Sequence, residues 1–407
     1  AVALNDYTRG YYKWNDADVL ANAKTDKRTY FSNDELDQIK NLNYSWLDEG
    51  WKSALQTRHN IGISGGTQTV RYYAGGSYMY QNGNFDQLHM NKYTVRMTMD
   101  IDIAKGWLLS VGMNGNRRSL SMPYNDLDKE PEKMYNTYGT LLRTPKWLPP
   151  YINGLPVGQN TVRSHPLYVN QINSYKKSFS GNLATNLALQ WEIPWVSGLK
   201  ARVAYDYLNN YSSSITYAKK YQLYNFETVE TDYSAGLLPT STIVSTTEVE
   251  NGDKYQQSAN TGASYQLAAS LDYHKTFGKH TFVAMALFEQ SQNQGTELST
   301  YVENMIIDNV EMSSAFGDGV NPVVDGRWST PTGRQSMLGR FNYDYNETYL
   351  LESTLRYEAS TRFAPEDRWG FFPSLSVGWR ISNEPFFQDK INTEWVDHLK
   401  FRASYGR

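Results

Sequence analysis

Six histidines, His59, His89, His165, His274, His280 and His398, are the first residues to test for chemistry. None belongs to an HExxH pair or a similar ligand spacing, so no metal centre is expected. His274 and His280 flank a short turn, which could bring two imidazoles to one ion across facing strands; a histidine at a turn end is the plainer reading. "GISGG" at 62–66 is followed by no helical pattern and reads as a hairpin turn, not a phosphate loop. Asp100 and Asp102 share one strand face, where they would meet Arg or Lys; a glycosidase pair needs a cleft and a set separation. The residues therefore point to no enzyme and no cofactor. What remains is binding. Sugars stack on aromatic rings flanked by amides and carboxylates, so Trp147 and Tyr151 in "KWLPPYINGLP" and Trp328 in "DGRWSTPTG" are candidate substrate contacts. Packing of the loops against one another is the alternative use of those rings.

The elements that must position such rings are legible from a period of two. In "RWGFFPSLSVGWRIS", Phe371, Pro373, Leu375, Val377, Trp379 and Ile381 alternate with small or polar residues. The pattern recurs in "NKYTVRMTMDIDI", "LKARVAYDY", "ASYQLAASLDYH" and "GRFNYDYNETYLLESTLRYEAS". Strict alternation over many segments predicts about twelve β-strands, each with one apolar face. The opposite face carries charges of both signs, among them Arg96, Asp100, Arg202, Asp206, Arg340, Asp344, Arg356 and Arg380. Such a face suits a wide, water-filled lumen, whereas the apolar face suits lipid.

Connection lengths agree. Short turns at 65–69, 104–106, 194–198, 275–279 and 346–348 alternate with long polar stretches at 118–179, 212–260 and 292–334, the layout of an outer-membrane barrel. The ten steps from Phe371 to Ile381, tilted by about 40°, rise roughly 25 Å, the height of a barrel's apolar band. Aromatic residues bound that band: Trp107, Trp191, Tyr345 and Trp379 toward the short turns, Tyr207 and Tyr357 toward the long loops, with Tyr273, Tyr349, Tyr93, Tyr265 and Phe371 beside them. Rings with a polar handle favour those two interfaces.

Composition fits. The chain has 407 residues, 32 Tyr, 11 Trp, no Cys, a net charge of -3 and a mean hydropathy of -0.62. No disulfide or thiolate site is possible, nothing points to nucleic acid, and no apolar run is long enough for a transmembrane helix. Residues 1–54 read as a loop-rich segment with one short helix at 33–41, and 55–407 as barrel strands and loops. "LKFRASYGR" would leave an open sheet edge in hydrocarbon, so either further strands beyond Arg407 or other chains are expected to complete the barrel.

Two stretches carry a family resemblance: "SWLDEGWKSALQTRHNIGISGGTQTVRYYAGGSYMYQNG" at 45–83, and "SMLGRFNYDYNETYLLESTLRYEASTRFAPEDRWGFFPSLSVGWRISNEPFF" at 336–387 followed by "LKFRASYGR". They resemble the SusC/RagA-like outer-membrane receptors of Bacteroidetes, a branch of the TonB-dependent transporters. The sequence departs from that family at Glu358-Ala359, where Asp-Gly is usual. The resemblance implies an all-β protein, a large antiparallel transmembrane barrel of the 22-stranded class present here in part. It implies import of oligosaccharides or oligopeptides, a SusD-like lipoprotein as extracellular lid, and energy from TonB through an N-terminal plug that this sequence lacks. A secreted or surface β-sheet protein that binds carbohydrate or acts as an adhesin, without transport, is the rival reading.

Overall fold

The alternating segments form one antiparallel sheet. The computed structural model describes residues 33–125, 135–158, 164–228, 238–304, 323–390 and 396–407. Its strands are β1 (Gln56–Gly66), β2 (Val70–Asn82), β3 (His89–Ala104), β4 (Trp107–Pro123), β5 (Tyr151–Ile152), β6 (Leu155–Pro156), β7 (Tyr175–Glu192), β8 (Leu199–Ala218), β9 (Tyr221–Thr228), β10 (Pro239–Val249), β11 (Lys254–Phe277), β12 (His280–Glu303), β13 (Val323–Trp328), β14 (Thr332–Tyr345), β15 (Tyr349–Ser360), β16 (Trp369–Arg380) and β17 (Lys400–Gly406). Twelve pair in the order β1-β2-β3-β4-β7-β8-β11-β12-β14-β15-β16-β17, and β13 joins the far end of β12. The expected dozen strands are therefore present as one sheet. Hairpins β5–β6 and β9–β10 stand apart from it, inside the long connections. Among the described residues β1 and β17 remain the two margins of an open sheet.

Registry fixes which residues share a face, because directly opposed residues point the same way. Val203 lies opposite Leu189 and Ala269, and Leu355 opposite Pro373. Val95, Met97, Leu187, Val203, Leu271, Leu355 and Leu375 all lie on one face, each about half exposed. This contiguous apolar surface is far larger than a soluble monomer exposes.

Two expectations need correction. "GISGG" is not the turn: residues 62–66 end β1, and the turn is 67–69, where the Thr67 hydroxyl accepts from the amides of Thr69 and Val70. The glycines clear space for tyrosine rings lying across the sheet. A Cβ at Gly65 would meet the Tyr72 hydroxyl at 2.7 Å, and one at Gly75 would collide with the Tyr73 hydroxyl. The long polar stretches are also shorter than expected, since β4, β7, β8, β11 and β12 run well into them. At 24 residues, β11 and β12 would span roughly 80 Å, over twice the hydrocarbon thickness. Above the apolar band no lipid enforces an apolar face, so alternation fades while the hydrogen-bonded ladder continues, with Tyr175, Tyr217 and Tyr255 buried together there.

Turns at the lower end stay short at 67–69, 105–106, 193–198, 278–279 and 346–348. The exception is 381–399, between β16 and β17, which includes a short helix at Pro385–Lys390. At the upper end lie α1 (Asn33–Ile39), within the helix expected at 33–41, α2 (Trp46–Gly50), α3 (Tyr135–Arg143) and α4 (Pro166–Val169). Helix α2 falls where only loop was expected. Five residues are too few for a period to show, although Ser45 caps it by accepting from the Asp48 amide at 3.2 Å.

Candidate functional site

The charged face and the upper connections are the two places where a solute could be held. Registry puts Arg96, Asp100, Arg202, Asp206, Arg340, Asp344, Arg356 and Arg380 on one face, opposite the apolar one. Their chemistry is largely internal. Asp100 accepts from the Ser110 hydroxyl at 2.6 Å, and Asp206 from the Asn186 amide. Glu358 lies between two guanidinium groups, that of Arg334 and that of Arg356, whose Nε is 2.6 Å away. Glu289 accepts from Ser336 at 3.2 Å and Gln266 at 3.4 Å. Of these side chains, Asn186, Asp206, Gln266, Arg334 and Glu358 border a polar trough of about 760 Å³ along β7, β8, β11, β12, β14 and β15. Amides, carboxylates and guanidinium groups can hydrogen-bond a polar solute there.

His274 and His280 do not form a pair. His280 opposes Phe277 on the apolar face, and its Nδ1 lies 2.8 Å from the Tyr343 hydroxyl, whereas His274 points to the charged face.

The upper connections fold into a cap with its own core. Trp46, Phe85, Leu141, Leu148, Val169 and Leu223 come from distant stretches and are buried together. The indole N–H of Trp46 donates to the Leu148 carbonyl at 2.8 Å. His165 lies fully buried against Trp46 and Tyr151, with ring centroids 4.5 and 5.1 Å apart. Its Nδ1 accepts from the Tyr168 amide at 3.1 Å, so its Nε2–H donates to the Pro150 carbonyl at 2.7 Å. Those two bonds call for the neutral ring, and burial lowers its pKa to about 4. Burial also raises the Tyr221 phenol, which accepts from the His165 amide at 3.1 Å.

A pH dependence follows. Above about 6.5 the ring is neutral folded and unfolded. Below that the unfolded ring takes a proton that the buried ring refuses until about 4. The cap should therefore lose stability progressively from pH 6.5 to 4, by about 3 kcal/mol at ~1.4 kcal/mol per unit. Hydrogen exchange at 164–172 in the full-length protein should quicken across that window, and a His165→Gln variant should flatten the dependence.

Of the three candidate contact rings, Trp147 and Tyr151 pack against this core, and the Tyr151 hydroxyl accepts from Gln171 at 3.0 Å. Trp328 differs. It ends β13 opposite Thr296 and is 87% exposed. Sequence reasoning missed the cap because its core is assembled from segments too short for any periodicity. "LPP" before Tyr151 and "HPLY" at 165–168 were its local signals.

The expected interface rings form ladders. Trp107 stacks on Trp191 at 4.9 Å, and Tyr345, Tyr349 and Trp379 stack in succession, 6.4 Å apart at each step. Toward the other end, Tyr207 opposes Tyr265, and Tyr357 stacks on Trp369 at 4.6 Å.

Comparison with known proteins agrees with this architecture. Residues 123–407 match the family model described as TonB dependent receptor-like, beta-barrel. Among curated relatives, the TonB-dependent receptor P3 of Formosa agariphila is 22% identical over 386 residues, covering 89% of this chain and 34% of its own. The TonB-dependent receptor SusC of Bacteroides thetaiotaomicron is 23% identical over 395 residues, again 89% and 34%. The chain thus spans about a third of the length of those relatives. The solved structure of the RagAB peptide importer in its open-open state superposes with a TM-score of 0.66 at 18% identity, over 99% of this chain and 43% of that one. At that identity the likeness concerns the fold.

Proposed function

Because this chain belongs to the TonB-dependent receptor-like β-barrel family of the outer membrane, we propose that it forms part of the wall of an active importer of oligosaccharides or oligopeptides. The observation that carries this reading is the division of one dozen-stranded sheet into an exposed apolar face, bounded by aromatic ladders, and a charged face. Lipid would cover the first. The second would line the lumen, where paired charges and amides give a polar solute many weak contacts and no deep trap.

The family is one of receptors and transporters, and no step here makes or breaks a covalent bond. Energy would come from TonB acting on a plug, and a SusD-like lipoprotein would close over the cap. Residues 1–54 would lead into the barrel wall that 55–407 builds. Trp328, unpacked at the upper rim, is the ring best placed to stack on an incoming sugar or aromatic side chain. Trp147 and Tyr151 would contribute through the shape of the cap. The rival reading, a secreted or surface carbohydrate-binding sheet, gives the aromatic ladders no purpose.

Uptake of fluorescent oligosaccharides and oligopeptides by cells carrying the full-length protein and its lipoprotein tests this. Accumulation in the periplasm should need the proton gradient and stop with an uncoupler. Accumulation indifferent to the uncoupler would contradict active import.

A further inference from the structure

Among the described residues, the long connection at the lower rim holds a helix that the strand pattern does not require. Arg380 ends β16, and α5 (Pro385–Lys390) follows after one turn of 3-10 helix at Ile381–Asn383. Three contacts tie this segment to the rim. The Glu384 carboxylate accepts on one oxygen from both the Tyr349 hydroxyl, at 2.6 Å, and the Trp379 indole N–H, at 3.0 Å. Asn383 donates to the Glu347 carbonyl at 2.9 Å. Phe387 is buried.

With Phe387 turned inward, its neighbour Phe386 is left 48% exposed, its ring 6.5 Å from that of Trp379. Phe386 therefore extends the lower aromatic ladder by one ring, beyond the last strand residue. Trp379 and Tyr349 have their polar handles taken up by Glu384, so the ladder presents apolar ring surface outward at this point. The hydrogen bonds from Tyr349 and Trp379 also hold the Glu384 carboxyl below its usual range, keeping it charged.

We propose that α5 is an interfacial foot, which seats Phe386 in the phospholipid headgroup–acyl boundary beside the lower rim and is fastened there by Glu384. Its occupant is lipid because Phe386 continues a ladder that already marks that boundary. A short element with an aromatic residue outward and a polar remainder, Gln388 and Asp389, lies in such a plane without spanning it. This foot rests on the reading that the apolar face meets lipid, so its test must separate the two.

The chain has no cysteine, so a nitroxide can be placed at chosen sites once any cysteine elsewhere in the full-length protein is replaced. Three variants, Phe386→Cys, Asp389→Cys and Leu375→Cys, would be labelled in the full-length protein in phospholipid bilayers. Collisions with oxygen and with a water-soluble nickel chelate would then be compared. The label at 375 should favour oxygen strongly, that at 386 should favour oxygen at a shallower depth, and that at 389 should favour the chelate. Adding Glu384→Ala should shift the label at 386 toward the chelate and leave 375 unchanged. A label at 386 that favours the chelate, or is reached by neither probe because protein covers it, would overturn the foot while 375 still reports lipid. A label at 375 that favours the chelate would overturn the lipid reading itself.

Discussion

Arginine in place of Val203 should cost about 2–4 kcal/mol of membrane stability, the penalty for a charge near the bilayer midplane on the lipid face of a barrel. Val203 lies four residues above the start of β8, is 51% exposed, and is flanked by Leu189 and Ala269. In a soluble sheet, a residue so exposed would accept arginine within about 0.5 kcal/mol. Ser264 supplies the control. It faces the charged side, beside the polar trough, and Ser264→Arg should be nearly neutral. Urea titration of the full-length protein folding into liposomes would measure both. A neutral Val203→Arg would remove the argument that lipid covers this face.

The second large effect belongs to the cap. Trp46→Ala should cost about 3–5 kcal/mol, because it empties a fully buried site shared by distant segments. It also strands the Leu148 carbonyl and removes the ring packed at a tilt against His165. Trp46→Phe, which keeps most of the packing and loses the hydrogen bond, should cost nearer 1–2 kcal/mol. Hydrogen exchange should rise together at 135–158 and 164–172 in Trp46→Ala, while the strands of the membrane band keep their protection. On the proposed importer reading, uptake should fall with the cap. Unchanged exchange in the cap would mean that its segments do not share one core.

These two effects mark what could be read from the sequence and what could not. Val203 was legible because a bilayer enforces its rule locally: every second residue must be apolar, so "LKARVAYDY" alone assigns a strand and a face. The same rule places eight charged residues on one side from the sequence alone. It stops where lipid stops. The upper halves of β11 and β12, "KYQQSANTG" and "NQGTELSTYVE", stand clear of lipid and bury only isolated residues such as Tyr255 and Val302, so their composition matches that of loops although they pair residue by residue.

Trp46 was illegible for a different reason. Its partners lie 102 positions away at Leu148 and further still at His165, and long-range packing of short segments leaves no period. The candidate contact rings show the same limit. Trp147 and Trp328 both read as loop tryptophans, yet one packs on a core and the other stands at the open margin of a strand. Glu384 was legible only as part of a family-like run, because its partners on β15 and β16 are brought to it by the hairpin.

The central claim is that one face of this sheet meets lipid and the other meets water. Single cysteines along β11, from position 266 to 272, would be probed in outer-membrane vesicles holding the full-length protein, with a water-soluble maleimide and a lipid-soluble one. The account predicts a strict alternation: 267, 269 and 271 reached only by the lipid-soluble reagent, and 266, 268, 270 and 272 never by it alone. Reaction of 267, 269 and 271 with the water-soluble reagent would contradict it.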